Sequence, residues 1–448
     1  MFPPDHAQRI ALAAEAHARP SEAVRAPARA SYAAVLVEPD ARAAEMAHLA
    51  DLCRRHGVEA PAPGATHFRT VIGAARLTWE SHGEFSGYTV VTAASAAEAP
   101  FESFAAAALP PGWLAAVPGN TVAAIHAALW VGSTDPAAAA TTPAARQAAQ
   151  APAGGPLIGA DIADGAAFVQ TDFMLHDGCT RILLIDRGLT ERQAGRTLQR
   201  LFEIEAYRML ALLALPIARR QSPRIVQIEQ ALARLTEGIA HGQGDDETLL
   251  HELTRLAAEV ESGLAASQFR FGACKAYFEL VMRRVGELRE VRLPGVQTIE
   301  EFMGRRFTPA VATCFSVSQR LHDLSERVAQ ASSLLSARVD IARERQNQAL
   351  LESMNRRAKL QLRLQQTVEG LSVAAIVYYV AGLVGYLAKG LKAGGVGLDT
   401  DLAVGLAIPL VAVMVVWALR RARRRNSRDD SVQAAAASTS RAPGSGAE

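Results

Sequence analysis

The stretch Leu371–Ala388, LSVAAIVYYVAGLVGYLA, contains no charged residue. A bilayer core of about 30 Å takes roughly 20 apolar residues at about 1.5 Å each, and about 17 at the lower end. The stretch meets that length, and so does Leu402–Leu419, LAVGLAIPLVAVMVVWAL. Two such helices in succession are hard to bury beneath the polar chain that remains, so together they predict a two-span transmembrane hairpin. Arg356, Arg357, Lys359 and Arg363 precede the first run, and RRARRRNSR follows the second. The linker KGLKAGGVGLDTD balances Lys389 and Lys392 against Asp399 and Asp401. The excess of cations at the outer flanks places both chain ends in the cytoplasm and the linker outside. Neither run holds an ionisable group of the kind that marks a transport path, so the spans alone favour an anchor.

The rest of the chain reads as soluble. At 448 residues there is room for two or three domains. A hydrophobic fraction of 50% is too low for a polytopic transporter, and a net charge of +2 gives no reason to expect nucleic acid as a partner. Cys53, Cys179, Cys274 and Cys314 lie far apart without a CxxC pair, which fits idle thiols in a reducing compartment. The N-terminal MFPPDHAQRIALAAEAHARP has no apolar core for a signal peptide, so the first domain is expected in the cytosol.

The fold class expected is α+β. Residues 1–188 read as a cytosolic α/β domain with a mostly antiparallel or mixed sheet. It opens with a helix near His6–Ala18, then a strand at 31–38 and a helix at 41–56. A hairpin follows over 68–91, then strands at 122–132, 166–173 and 180–187, with Asp177-Gly178 as the last hairpin turn. Within it, 135–156 is low-complexity and reads as a disordered loop. Residues 189–307 read as a helical bundle, with a capped helix that stops near Pro216 and further helices at 223–240, 246–265, 268–290 and 298–305. From Ala310 to Glu369 there is neither proline nor glycine, so 308–370 predicts one long stalk helix opened by Thr308-Pro309 and running into the spans. Its heptad Leu321, Leu324, Val328, Ala331, Leu335 gives way to a polar surface. A lone helix of that kind needs partners, from its own domain or from other copies. Residues 371–419 form the hairpin, and 420–448 a basic, then disordered cytoplasmic tail.

Three motifs bear on chemistry. Glu80, His82 and Glu84 alternate on a predicted strand, which puts them on one face with Trp79 and Phe85 on the other. Such a set suits a divalent cation, although strand neighbours stand about 7 Å apart and one ion would need ligands from elsewhere; a polar outer face of the sheet is the preferred account of the pattern. Glu15, His17, Arg19 and Pro20 read as a helix end, with an anion site as the sharper alternative. Glu205, Tyr207 and Arg208 read as an ion pair, either within a helix or between domains. The chain has no phosphate-binding loop, dinucleotide fingerprint, HExxH or GxSxG, which argues against a nucleotide-driven or hydrolytic enzyme.

Taken together, Glu15-x-His17-Ala18-Arg19-Pro20, Trp79-Glu80-x-His82-x-Glu84-Phe85, Tyr207-Arg208-x-x-Ala211-Leu212 and Leu371-Ser372-x-x-Ala375-Ile376-x-Tyr378-Tyr379 resemble a bacterial family of uncharacterised membrane-anchored proteins with a domain of unknown function. The resemblance runs from Asp5 to about Arg424. It implies a location in the bacterial cell inner membrane and supplies no catalytic residues. The layout alone resembles the CorA-type divalent-cation channels, homopentamers whose long helix and first span line the pore. The Gly-Met-Asn signature of that family is missing, and the corresponding stretch here reads Tyr386-Leu-Ala-Lys389-Gly390.

Two functions follow as expectations. One is a homo-oligomeric channel or transporter for ions. Helical spacing puts Ser372, Tyr379, Gly382 and Tyr386 along its path, with Lys389, Lys392, Asp399 and Asp401 at its outer mouth. The other is a membrane-tethered scaffold or ligand sensor in which the hairpin only anchors.

Overall fold

The computed structural model describes residues 3–9, 21–132, 157–242, 244–393, 401–402, 404–418 and 421. These fall into two compact units, Met1–Ser336 and Ala337–Glu448. Most of the helix expected at 6–18, the whole 135–156 loop and the basic tail beyond Arg421 lie outside the described residues.

The first unit is α+β. Among the described residues its eight strands are β1 Ala28–Leu36, β2 His67–Ile72, β3 Ala75–Ser81, β4 Phe85–Ala93, β5 Asn120–Val131, β6 Ile158–Ile162, β7 Ala167–His176 and β8 Cys179–Asp186. They form one sheet in the order β2-β3-β4-β1-β5-β8-β7-β6. Every pairing is antiparallel except that of β5 with β8. The central strand β1, ARASYAAVL, is buried along almost its whole length, and its alanines let the layers on both faces approach. The β7–β8 turn has Asp177 and Gly178 both at positive φ, as a two-residue hairpin requires.

The expected hairpin over 68–91 is a three-strand meander, β2 to β4, because residues 82–84 form a second turn closed by His82 N–H donating to Phe85 O at 2.8 Å. That turn resets the alternation. Trp79 therefore joins the core on one face of the sheet and Phe85 the core on the other, where a continuous strand would have put them together. Strand β6 went unpredicted: its five residues, IGADI, are too few to show a period.

On one face of the sheet lies α1, Arg42–Arg55, with Leu49 and Leu52 packed against Trp79, Tyr88 and Trp113. The other face carries the helices. Helix α2, Glu191–Leu212, starts at a Thr190/Gln193 capping box. Helix α3, Ala214–His241, follows after a one-residue break with Pro216 in its first turn, the position at which a stop was expected. Helix α4, Asp246–Leu288, is a single helix where two were expected; Ser267, at the anticipated gap, bonds its hydroxyl back to Gly263 O at 2.7 Å.

A short helix α5, Ile299–Phe302, capped by Thr298 and Glu301, passes through one π-helical turn, Met303–Phe307, into α6, Thr308–Ala393. Thr308-Pro309 therefore does not open a helix. It sits inside one, and the wider turn just before it makes room for the proline ring. The heptad residues Leu321, Leu324, Val328, Ala331 and Leu335 are all buried. They share one core with sheet residues such as Ile125 and Leu184 and with Phe271 of α4. The sheet and the helices through Ser336 are accordingly one body rather than a domain and a separate bundle.

In the second unit, the helix that began at Ile299 remains unbroken to Leu391 and beyond. It is long and apolar enough to cross a membrane, and only 6% of its most apolar window is buried. The second apolar run is described as a helix only over Val404–Ala418, shorter than a span requires, so the described residues hold one spanning-length helix where two were expected. Ala381 and Ala388 of α6 are buried, and a Cβ on Gly385 would stand 3.3 Å from Val404 Cγ2, so a face of small residues lets the second run approach. Lys389 and Lys392 lie on the final turns of α6 instead of in a loop, Asp401 lies in the following helical stretch, and Asp399 is outside the described residues.

Candidate functional site

The best-formed cleft of the first unit lies between the helix-covered face of β1, β3 and β4 and helix α2. It has room for about 290 Å³. Its floor comes from strand alternation: Ala30 and Tyr32 of β1, Thr78 and Glu80 of β3, and Thr89 and Val91 of β4 point the same way. Its wall comes from helical periodicity, with Leu198, Gln199, Phe202, Glu203 and Tyr207 on one side of α2.

Tyr32 lines the cleft from β1. Its ring stacks on Phe202 at 5.2 Å, and its phenol occupies the space that a side chain at position 87 would fill, since a Cβ on Gly87 would lie 3.0 Å from the Tyr32 oxygen. Burial, then Tyr207, Glu80 and Glu203, push the Tyr32 pKa well above its ordinary value, so the phenol keeps its proton. Glu203 is paired with Arg284 of α4, which also donates to both oxygens of Glu287 at 3.0 Å. Burial pulls the Arg284 pKa down, but the Glu203 and Glu287 carboxylates outweigh it and hold the guanidinium above its usual range.

His82 sits on the β3–β4 turn, stacked on Phe85 at 4.3 Å. That turn is held from both sides. From α1, Arg42 donates to Ser86 Oγ at 2.7 Å and to His82 O at 3.0 Å. Arg42 is itself oriented by the buried Glu45, which accepts from Tyr88 Oη at 2.6 Å and Trp79 Nε1 at 3.0 Å. From α4, Arg270 reaches Glu84 through two bonds, at 2.6 and 3.2 Å, and the Tyr277 hydroxyl donates to Glu84 at 2.7 Å. Tyr207 stacks on Tyr277 at 5.5 Å and closes the group.

The proposed cation set is therefore divided. Glu80 and His82 face the cleft, whereas Glu84 is drawn to Arg270 and Tyr277. No group of three His, Cys, Asp or Glu side chains among the described residues is arranged to hold a metal ion. Glu15, His17 and Arg19 lie outside the described residues. The third motif is an ion pair, as its spacing suggested: Glu205, 2% exposed at its side chain, accepts two bonds from Arg208 at 2.7 Å and one from Thr180 at 2.9 Å. Arg208 also lies 5.2 Å above the Phe173 ring, which stands on a β-bulge at positive φ. Ser372, Tyr379, Gly382 and Tyr386 are exposed on α6.

With carboxylates, an imidazole, phenols and guanidinium groups around a half-open space, the cleft is suited to bind a small polar ligand by hydrogen bonds. Sequence reasoning missed Tyr32, Glu203, Arg284 and the Arg42–Glu45 clamp. These positions are brought together by strand order and helix docking, and none carries a local motif.

No curated protein and no solved structure matches the chain. A family model described as Protein of unknown function (DUF3422) matches residues 4–426. The match spans nearly the whole sequence, and the chain belongs to that family.

Proposed function

We propose that the protein is an integral protein of the bacterial inner membrane that assembles from copies of itself and carries ions along a two-span, CorA-like path, with both chain ends cytoplasmic. The observation that carries this reading is exposure. From Asp340 to Val368 every side chain of α6 is exposed, including Leu350, Leu351, Met354, Leu360, Leu362 and Leu364. Helices gain their stability chiefly by packing an apolar face, so this segment needs partners, and copies of the same segment supply them.

The face available for such packing is defined by geometry. At about 100° per residue, Ala381, Gly385 and Ala388 fall roughly 180–240° from Tyr379, on the side that meets Val404. Ser372, Gly382 and Tyr386 fall within roughly 60° of Tyr379, on the opposite, exposed side. Continued at heptad spacing, that side presents Val368, Gln365, Gln361, Ala358, Met354 and Leu351, flanked by Arg357 and Glu369, while Glu352, Arg356, Lys359 and Arg363 point elsewhere. A closed ring of copies would line its axis with this polar and aromatic strip.

The mass of the detergent-solubilised particle tests the assembly. A pentamer is expected, and a monomer would remove the ion path. In liposomes, ion flux is expected and should fall when Asp399 and Asp401 are replaced by alanine, because Lys389 and Lys392 would then stand at the mouth without counter-charges. The second reading, a membrane-tethered scaffold or ligand sensor, draws its support from the Tyr32 cleft. Flux equal to that of empty liposomes, together with ligand binding lost on Tyr32→Phe, would favour it.

A further inference from the structure

We infer that a second groove of the first unit, between α2 and α4, binds a phosphate-type anion carrying two or more negative charges. The groove has room for about 590 Å³ and is lined by Arg196, Arg200, Arg283 and Arg289, with Glu287 as its one acid among the lining residues described. Arg196 and Arg200 stand one turn apart on α2, and Arg283 and Glu287 one turn apart on α4, so the two helices face each other across a largely cationic gap.

The ion pairs do not balance it. Glu287 accepts from Arg200 at 2.9 Å and shares Arg284 with Glu203, so these two carboxylates offset only Arg200 and Arg284. Arg289 meets Asp164 at 2.8 Å, but both side chains are more than half exposed, and such a pair exchanges readily with another anion. Arg196 and Arg283 have no acidic partner among the described residues. The groove therefore holds at least two guanidinium groups in surplus.

Helix polarity explains only half of this. Arg283 and Arg289 lie near the C-terminus of α4, where cations are favoured. Arg196 and Arg200 lie in the N-terminal half of α2, where the same effect gives them no support. Four mutually repelling cations around one concavity are stabilised when an anion sits among them, and paired guanidinium forks match the oxygens of a phosphoryl group. The volume exceeds what a bare phosphate fills and suits a phosphorylated organic group, whether a soluble metabolite or a lipid headgroup.

The test uses the full chain in non-ionic detergent and isothermal titration with two probes. These are pyrophosphate, and a short-chain phosphatidic acid kept below its micelle concentration. Wild type is expected to bind at least one probe, and R196A/R283A to bind it at least tenfold more weakly with an unchanged melting temperature, since both side chains are exposed. Tighter binding of phosphatidic acid would support the site with a headgroup source, and tighter binding of pyrophosphate would support it with a soluble one. Silence with both probes overturns the proposal. So does a double variant that binds like wild type, or an equal loss from the remote substitution R224A.

Discussion

Glu45 is fully buried and shares its two oxygens among Tyr88, Trp79 and Arg42. Replacing it with alanine leaves the partly exposed Arg42 guanidinium without its counter-charge and the buried Tyr88 and Trp79 donors without their acceptor, so Glu45→Ala should cost about 3 kcal/mol in chemical denaturation. It should also loosen the His82 turn that Arg42 holds. Gly195 is constrained by approach: a Cβ there would lie 1.6 Å from Glu22 O, where the chain before β1 crosses α2. Gly195→Ala should therefore destabilise by about 2–3 kcal/mol, read as a fall in melting temperature.

His126 on β5 accounts for a pH effect. Burial first, and Arg181 second, lower its pKa to about 4, while its ring stacks on Phe104 at 3.8 Å. A histidine depressed in the folded state binds its proton more readily when unfolded, so stability present at pH 7 is lost as pH falls through the ordinary value of about 6.5 toward 4. Between pH 7 and 5 the loss from this residue should be about 2 kcal/mol. In denaturation curves taken at the two pH values, His126→Gln should flatten that part of the dependence.

At the scale of elements, most of the fold was legible. The Thr190 cap, the Asp177-Gly178 turn and the heptad through Leu335 are local signals, and each marks what it marks in the structure. The errors came where tertiary contact outweighed a local sign. Pro309 passes inside a helix because a π turn precedes it, and residues 82–84 turn because Arg42 and Arg270 grip them from opposite layers. Of the cleft, only Glu80, His82 and Tyr207 stood out in the sequence, and nothing there joined them. Tyr32, Glu80, Tyr207 and Arg284 are far apart in the chain and meet only after the sheet order and helix docking are set. For α6, single cysteines read the packing face: on mild oxidation Gln361→Cys should cross-link copies, and Lys359→Cys, turned away from that strip, should not.

For the whole molecule, the division at Ser336 has a direct reading. The core that joins sheet and helices closes at Leu335, so a fragment ending at Ser336 should stay folded and soluble, shown by a cooperative melt and a single monomeric peak on size exclusion. The full chain should pellet with membranes after lysis and come free with detergent but not with high salt. Appearance of the full chain in the detergent-free supernatant would undo the bilayer placement.

The π turn at Met303–Phe307 amounts to one surplus residue inserted into a running helix. Loss of a single amino acid there, Gly304 for instance, would return the turn to ordinary pitch and keep Ile299 on one side and Val311 on the other in phase with the core. The same loss between Val311 and Leu335 would swing everything upstream by about 100° relative to everything downstream and empty the apolar seam. Between Ile299 and Leu335, tolerance of a one-residue deletion should thus be confined to these five positions.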